Sequence, residues 1–419
     1  MRESKKLEFK EKVTKTFLKT VSAFANFGNG TIMFGVDDDG IEQGLDNPEE
    51  RRLEVENMIN DTITPRPKYT LEIKKNNKVL ELTVYEGKDK PYLYNGKAYR
   101  RSDTSTVEVD QTELRRLILE GKNINYEDLP SEKQDLSFSY LEAKLQKKMG
   151  IEQLTSDICK TLGFITKEGE YTNCAELFSD CNTIPGIDIA RFGKSISEIK
   201  ERKNLSGTCI LQQYEEAVEW FEREYRYEKI DGIERKVIEN IPEVAFREAV
   251  ANAIVHRTWD ENACIRVAMF PDKIEITSPG GLLSGVSEYE YLNGILSVLR
   301  NPMIGMVFYR LNLIEMFGTG IRRIREAYDD YSVEPQFIVS EKAVTIILPA
   351  VKLLDFELSE EESLVIEILK SNKKMSSSEI CGETKMNKSK LIRIINLLVE
   401  KNVVKAEGNG RGRRYYLQK

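Results

Sequence analysis

Phe246-Arg247-Glu248-Ala249-Val250-Ala251-Asn252-Ala253-Ile254-Val255-His256 is the stretch on which the reading of this chain turns. It has three alanines and neither Gly nor Pro, so it predicts a helix. At ~100° per residue, Phe246, Val250, Ala253 and Ile254 share one face, and Glu248 and Asn252, spaced i,i+4, share the opposite one. Taken alone, that polar pair reads as a solvent-facing edge. Two later stretches change the balance. Lys273-Ile274-Glu275-Ile276-Thr277-Ser278-Pro279-Gly280-Gly281-Leu282 alternates like a strand and ends in a Pro-Gly-Gly turn. Gly318-Thr319-Gly320-Ile321 opens a basic helix carrying Arg322, Arg323 and Arg325. Glycines ahead of a helix leave backbone N–H groups free for phosphate oxygens, and the helix dipole favours the anion. A lone Gly-Thr-Gly is weak. The order says more: polar-faced helix, strand with glycine turn, long connection, Gly-x-Gly helix, then the strand Ala343–Pro349.

This order resembles the GHKL ATP-binding fold of gyrase, Hsp90, histidine kinases and MutL. Arg247–Ala253 with His256-Arg257, Ser278–Leu282, Arg300-Asn301-Pro302 and Gly318–Ile321 look like its divergent branch in proteins described as bacterial transcriptional regulators, over residues 205–350. The resemblance implies ATP and Mg²⁺ as ligands. Asn252 would bind Mg²⁺ through its amide oxygen, Glu248 would orient or deprotonate a water, and Gly318, Thr319 and Gly320 would hold phosphates. Gly280 and Gly281 would line the nucleotide, and His256 would orient a group there rather than act as a general base. Leu282–Phe317 would be the mobile lid. Ser278 stands where that fold carries the Asp that pairs with the adenine amino group.

The 419 residues leave room for two to four domains, and 40% hydrophobic with 31% charged residues is a globular composition. No apolar run approaches the ~20 residues of a membrane span, and Met1–Lys6 leads into no signal-peptide core. Six scattered cysteines without a C-x-x-C pair, and one histidine, argue against a zinc cluster and for a cytoplasmic protein with reduced thiols. The net charge of −7 hides an asymmetry: residues 370–419 carry 13 Lys/Arg against 4 Asp/Glu. A basic tail on an acidic body suggests local attraction for phosphates.

Residues 1–121 read as a mixed domain. Helices are expected through Phe17–Phe24 and Glu49–Ile63, with strands at Thr31–Val36, Tyr69–Lys74 and Val79–Tyr85. Lys97, Arg100 and Arg101 lie among Tyr99, Ser102, Thr104 and Ser105, a composition suited to sugar–phosphate contact and equally to a solvated strand edge. Glu3-x4-Glu8-Phe9-Lys10, Ser22–Gly30 and Ile32–Asp38, in that order, look like the Schlafen/AlbA-like nucleic-acid-binding domain. Certain Schlafen proteins are metal-dependent RNases using two Glu and one Asp, and Glu3, Glu8 and Asp37 fall at the matching positions. Clustered carboxylates hold a cation that activates water. In the competing reading each acid meets its own Lys, Arg or backbone donor.

Residues 122–204 read as a connector and the leading part of a central domain at 205–352. Residues 357–419 read as three helices (359–371, 376–384, 387–401) and a basic two-stranded ribbon. This resembles a winged helix-turn-helix. Its third helix, with Lys388, Lys390 and Arg393, would enter the major groove, and a wing with Arg411, Arg413 and Arg414 would meet the backbone. The expected class is α+β multidomain: AlbA/Schlafen-like domain, GHKL-like α/β sandwich and winged helix. The function that follows is a nucleotide-responsive nucleic-acid-binding regulator, with DNA or RNA as partner and a homo-oligomer left open. The alternatives are a nucleotide-gated nuclease, as a toxin or defence effector, and a scaffold with a vestigial nucleotide site.

Overall fold

The computed structural model describes residues 2–74, 76, 78–231, 234–283, 285–295, 298–331, 333–351, 360–371, 374–400, 403–408 and 412–417. They form two compact units: residues 1–130 with 166–173 and 283–286, and residues 131–165, 174–282 and 287–419.

In the first unit, β1 (Leu7–Lys10) runs parallel to β2 (Gly30–Phe34), and α1 (Phe17–Phe27) joins them. After α2 (Pro48–Thr62) and the short β3 (Ile63–Thr64), β4 (Lys68–Lys74) and β5 (Val79–Tyr85) form a hairpin and complete the sheet order β1-β2-β5-β4. The apolar stripe of α1, Phe17, Leu18, Val21 and Phe24, packs with Ile32, Phe34, Leu80, Leu82 and Val84. Then follow β6 (Leu93–Tyr94), the hairpin β7 (Tyr99–Ser102)–β8 (Ser105–Glu108), and α3 (Gln111–Gly121), whose cap Asp110 accepts from the Glu113 N–H. The Ser22–Gly30 motif is a strap. Asn26 donates to the Tyr92 carbonyl at 2.9 Å and accepts from its N–H at 2.8 Å, and Ser22 Oγ donates to the same carbonyl at 2.7 Å.

The second unit opens with α4 (Ser139–Met149), α5 (Ser156–Thr161) and α6 (Asn173–Phe178), the first residue of α6 belonging to the first unit. Next come β9 (Ile187–Phe192), β10 (Ile199–Asn204), α7 (Ile210–Tyr225) and the separate hairpin β11 (Arg226–Asp231)–β12 (Glu234–Glu239). The chain continues with α8 (Glu243–Val255), β13 (Ile265–Phe270), β14 (Lys273–Pro279), α9 (Glu288–Asn293), α10 (Pro302–Arg310), α11 (Gly320–Glu326), β15 (Gln336–Val339) and β16 (Ala343–Pro349). The sheet order is β10-β9-β13-β14-β16-β15, and β9–β13 is its parallel pair. Phe246 of α8 stacks on Phe221 of α7 at 4.5 Å. β9 and β10 thus carry the leading part of the central sheet.

The lid expected over Leu282–Phe317 is too long. Within it, α10 buries Ile304, Gly305, Val307 and Phe308, and Phe308 sits edge-on to Phe178 and Tyr214. A helix anchored in a core in this way is part of the scaffold.

The C-terminal region has its own core of Val365, Leu369, Ile380, Leu391, Ile395 and Leu398. Its elements are α12 (Glu360–Ser371), β17 (Met375–Ser376), α13 (Ser377–Thr384), α14 (Lys388–Glu400), β18 (Val404–Glu407) and β19 (Arg414–Leu417), with strand order β17-β19-β18. Arg411 lies outside the described residues. Among the described residues, no helix is long and apolar enough to cross a membrane.

Candidate nucleotide site and nucleic-acid surfaces

The polar face of α8 is not a solvent edge. Glu248 is only 8% exposed, because α11 lies over it. A Cβ on Gly320 would stand 2.6 Å from Asn252 Nδ2 and 2.7 Å from Glu248 Oε1, so a side chain there would collide with both. Neither the Glu248 carboxylate nor the Asn252 amide makes a hydrogen bond among the described residues; the cation near Glu248 is Arg323, at 3.9 Å, which also faces Glu315 at 3.4 Å. Burial pushes the Glu248 carboxyl above the ordinary glutamate value, with the Arg323 guanidinium pulling the other way. Asn252 is half-buried, and neither group is among the fully buried polar atoms that lack a partner, so both stay open to water or a ligand.

Helix α11 is tied to α9 as well. Arg322 donates to the Asn293 carbonyl at 3.2 Å and Arg325 to the Leu292 carbonyl at 2.8 Å, satisfying the C-terminal end of α9. Gly318 (φ 68°) and Thr319 lead into α11, and the Thr319 carbonyl accepts from the Arg323 N–H.

The remaining residues of this expected site are held by backbone. Ser278 is 6% exposed and donates its hydroxyl to the Ala253 carbonyl at 2.7 Å, which locks β14 to α8. Gly280 has φ 102°, and a Cβ there would strike Thr258 Oγ1 at 1.9 Å; its N–H donates to the Lys342 carbonyl. Gly281 supplies a carbonyl to Arg300, which also donates to the His256 carbonyl at 3.0 Å. Asn301 donates to both the Val255 and Arg257 carbonyls at 2.8 Å, so the Arg-Asn-Pro motif caps the end of α8. Desolvation, reinforced by Arg300, pushes His256 down to about 4, so its imidazole is neutral at physiological pH. Nothing in the residue order marks Arg323 as the neighbour of Glu248, since a basic helix residue has no periodic signature for such a contact.

The N-terminal acids are separately partnered. Glu3 accepts from the Phe9 N–H at 2.8 Å. Glu8 is 4% exposed and is bound by the Arg101 guanidinium, by Lys10 at 2.8 Å and by Thr20 Oγ1 at 2.7 Å. Asp37 accepts from the N–H groups of Ile41 (2.8 Å) and Asp39 (3.1 Å) and from the Gln43 amide (2.9 Å); the Ile41 bond foremost holds its carboxyl below the ordinary aspartate value. Among the described residues no three His, Cys, Asp or Glu side chains gather in a metal-holding group. These residues therefore do not present a preformed site for the divalent ion a nuclease would use.

Two expected cationic surfaces differ in availability. Arg101 is 6% exposed and committed to Glu8, so it does not face a ligand. Lys97 pairs with Glu108 at 2.7 Å and Arg100 with Glu113 at 3.4 Å. On α14, Lys388, Lys390 and Arg393 are exposed opposite the core stripe; Lys390 pairs with Glu361, whereas Lys388 and Arg393 have no ion pair among the described residues. On the ribbon, Arg413 lies 5.6 Å over the Tyr415 ring and Arg414 pairs with Glu379 at 2.9 Å.

Two stretches of the chain match known family models. Residues 3–110 match the family model described as "Schlafen, AlbA_2", and residues 262–348 match "Putative ATP-dependent DNA helicase recG C-terminal". The second match includes Ser278, Gly280, Gly281 and Gly318–Gly320 and begins after Glu248 and Asn252. A crystal structure of the DIP2311 protein from Corynebacterium diphtheriae is similar over 99% of this chain and 92% of that one, at 16% identity and a TM-score of 0.49. No curated protein matches the chain. The chain is a multidomain α+β protein with a Schlafen/AlbA_2 region at its N-terminal end and a RecG-like region farther along.

Proposed function

We propose that this chain is a nucleotide-responsive DNA-binding protein, a transcriptional regulator in which Mg-ATP acts as a conformational ligand. The observation that carries the reading is the unbonded pair Glu248–Asn252 closed beneath Gly320. The donor set fits the group: an amide oxygen is a hard ligand for Mg²⁺, and a buried carboxylate beside it can orient a water. The space between Gly320 and the polar pair is too small even for a methyl group as it stands, so a phosphate entering there displaces the two side-chain ends and, in this reading, moves α11 away from α8 with them. Because Arg322 and Arg325 tie α11 to α9, that movement is passed to α9. The nucleotide then favours whichever state opens the pair, which is how a ligand shifts a population. Glu248 orients a water for slow hydrolysis, and Ser278, spent on α8, gives adenine no carboxylate partner.

DNA binding rests on the C-terminal region. Its three helices and ribbon fit a winged helix-turn-helix, with Lys388 and Arg393 of α14 at the major groove and Arg413 on the backbone. The nuclease reading draws no support from Glu3, Glu8 and Asp37, each of which accepts from its own separate donors. Calorimetry with Mg-ATP tests the proposal. Wild-type protein should bind, and Asn252→Ala should lose about tenfold or more, the scale reached when support of a metal ligand is removed. No binding by the wild type at millimolar Mg-ATP would refute the nucleotide role.

A further inference from the structure

The cations of the first unit are unevenly committed. Residues 2–19 carry seven Lys/Arg against three Asp/Glu, whereas residues 20–121 carry fourteen against nineteen. In the second stretch half of the cations, those of the β7 strip among them, meet carboxylates: Arg51 faces Glu54, Arg52 faces Glu49, Lys74 faces Glu81, Lys90 faces Glu86 and Glu120, Lys97 faces Glu108, Arg100 faces Glu113, and Arg101 is buried on Glu8. The turn between β1 and α1 is the opposite. Lys12, Lys15 and Lys19 are exposed, and none has an ion pair among the described residues. Glu11 is the one acid between Lys10 and Lys19, and Lys10 is already held by Glu8. The turn is also ordered. The Thr14, Lys15 and Thr16 carbonyls accept from the Phe17, Leu18 and Lys19 N–H groups, the Thr14 and Thr16 hydroxyls lie 2.8 Å apart, and the Lys19 ammonium sits 5.7 Å over the Tyr99 ring.

We propose that this turn, Lys12, Lys15 and Lys19 with the hydroxyls of Thr14 and Thr16, is where the first unit grips the sugar–phosphate backbone of duplex DNA, in place of the β7 strip. A cation already bonded to a carboxylate exchanges one anion for another when it meets a phosphate, with little gain. A bare lysine on an ordered turn brings its full charge and displaces counterions condensed on the DNA, and each phosphate so neutralised adds about 0.9 to the slope of log K against log salt. Threonine hydroxyls are ordinary phosphate donors and carry no sequence information, so this contact adds affinity and register rather than specificity.

The inference rests on the DNA-binding reading above, and one experiment separates the two. The full chain, its Lys12→Gln/Lys15→Gln/Lys19→Gln triple variant and its Lys97→Gln/Arg100→Gln double variant are titrated with a labelled duplex between about 50 and 200 mM salt. The triple variant should lower the slope by about 2 to 3 and weaken binding equally on unrelated sequences, while the double variant changes it by less than about 1. All three proteins should melt alike, since the substituted side chains are surface groups. A triple variant with the wild-type slope would overturn the inference while the DNA-binding reading stands. A double variant that loses as much would return the contact to β7 and also overturn it. Slope lost on single-stranded RNA but kept on the duplex would reject DNA as the occupant. A wild type that retains no duplex at low salt would remove both proposals.

Discussion

Glu8 and Glu248 are both buried glutamates on motif-bearing elements, 4% and 8% exposed, yet their surroundings are opposite. Glu8 is enclosed by Arg101, Lys10 and Thr20, which between them use both of its oxygens. Glu248 has one cation at 3.9 Å, no hydrogen bond among the described residues, and a glycine pressed against it. A carboxylate held by protein donors on both oxygens has little to offer a metal or a water, and its work is to hold strands together. A carboxylate kept from its partners costs stability and stays available. The pairing around an acid therefore says more about its role than its place in a motif does.

The largest expected effect breaks the first half of that comparison. Glu8→Ala leaves the Arg101 guanidinium buried without its counter-charge, a loss of about 3–5 kcal/mol. Replacing both partners by Met should recover much of this, since two apolar side chains need no desolvation offset. Glu248→Gln, by contrast, should leave stability within about 1 kcal/mol of wild type or raise it, because no bonded partner is lost. Urea unfolding followed by fluorescence ranks the variants. If Glu8→Ala and Glu248→Gln cost the same, burial and not partnering governs these residues.

A smaller effect sharpens the second half. Gly320→Ala places a methyl group 2.6 Å from Asn252 Nδ2 and 2.7 Å from Glu248 Oε1. Both are ends of flexible side chains, so they can move aside, at about 1–3 kcal/mol for the crowding. The moved pair should bind Mg-ATP less well, because ligands must be held in place to act. Thermal unfolding and calorimetry on the same sample check this. Unchanged melting together with unchanged ATP affinity would mean that α11 does not rest on the pair in solution.

Much of the scaffold can be read without coordinates. The Ala-rich stretch places α8, the alternation of Lys273–Pro279 places β14, and the apolar stripe Leu391, Ile394, Ile395 and Leu398 places α14. These rest on local periodicity and, elsewhere in the chain, on breakers such as Gly28 and Pro65. Other elements lack such a signal. β10 reads Ile-Lys-Glu-Arg-Lys-Asn and is mostly exposed at a sheet edge, so no apolar alternation marks it. Pairing is less legible still. Arg101 reaches Glu8 across 93 positions, and Arg323 reaches Glu248 only because α11 folds back over α8. Arg101's distant partner Glu8, with the nearer Glu108 and Glu113 facing Lys97 and Arg100, turned this apparent phosphate-binding strip into ion-pair partners.

The smallest expected effect comes from titrating the bare carboxyl. Burial raises the Glu248 pKa above its ordinary 4.5, so between those two values the folded chain holds a proton that the unfolded chain has released. The associated stability is complete below pH 4.5 and is lost as pH rises through the raised folded value. Glu248→Gln cannot ionise and removes that loss. Its stability relative to wild type should therefore climb with pH from the ordinary glutamate range and then level off. Arg323 stabilises the charged form, so Arg323→Ala should push the levelling point of that difference to higher pH. His256 titrates at about 4 in either protein and cancels from the difference. Thermal unfolding of the wild type, Glu248→Gln, Arg323→Ala and the double variant, at half-unit steps of pH, gives the curve. A difference that stays flat from about pH 4 to 8 would mean that Glu248 is as well solvated or as well bonded as a surface carboxylate. The contrast with Glu8 would then fail at its more consequential end.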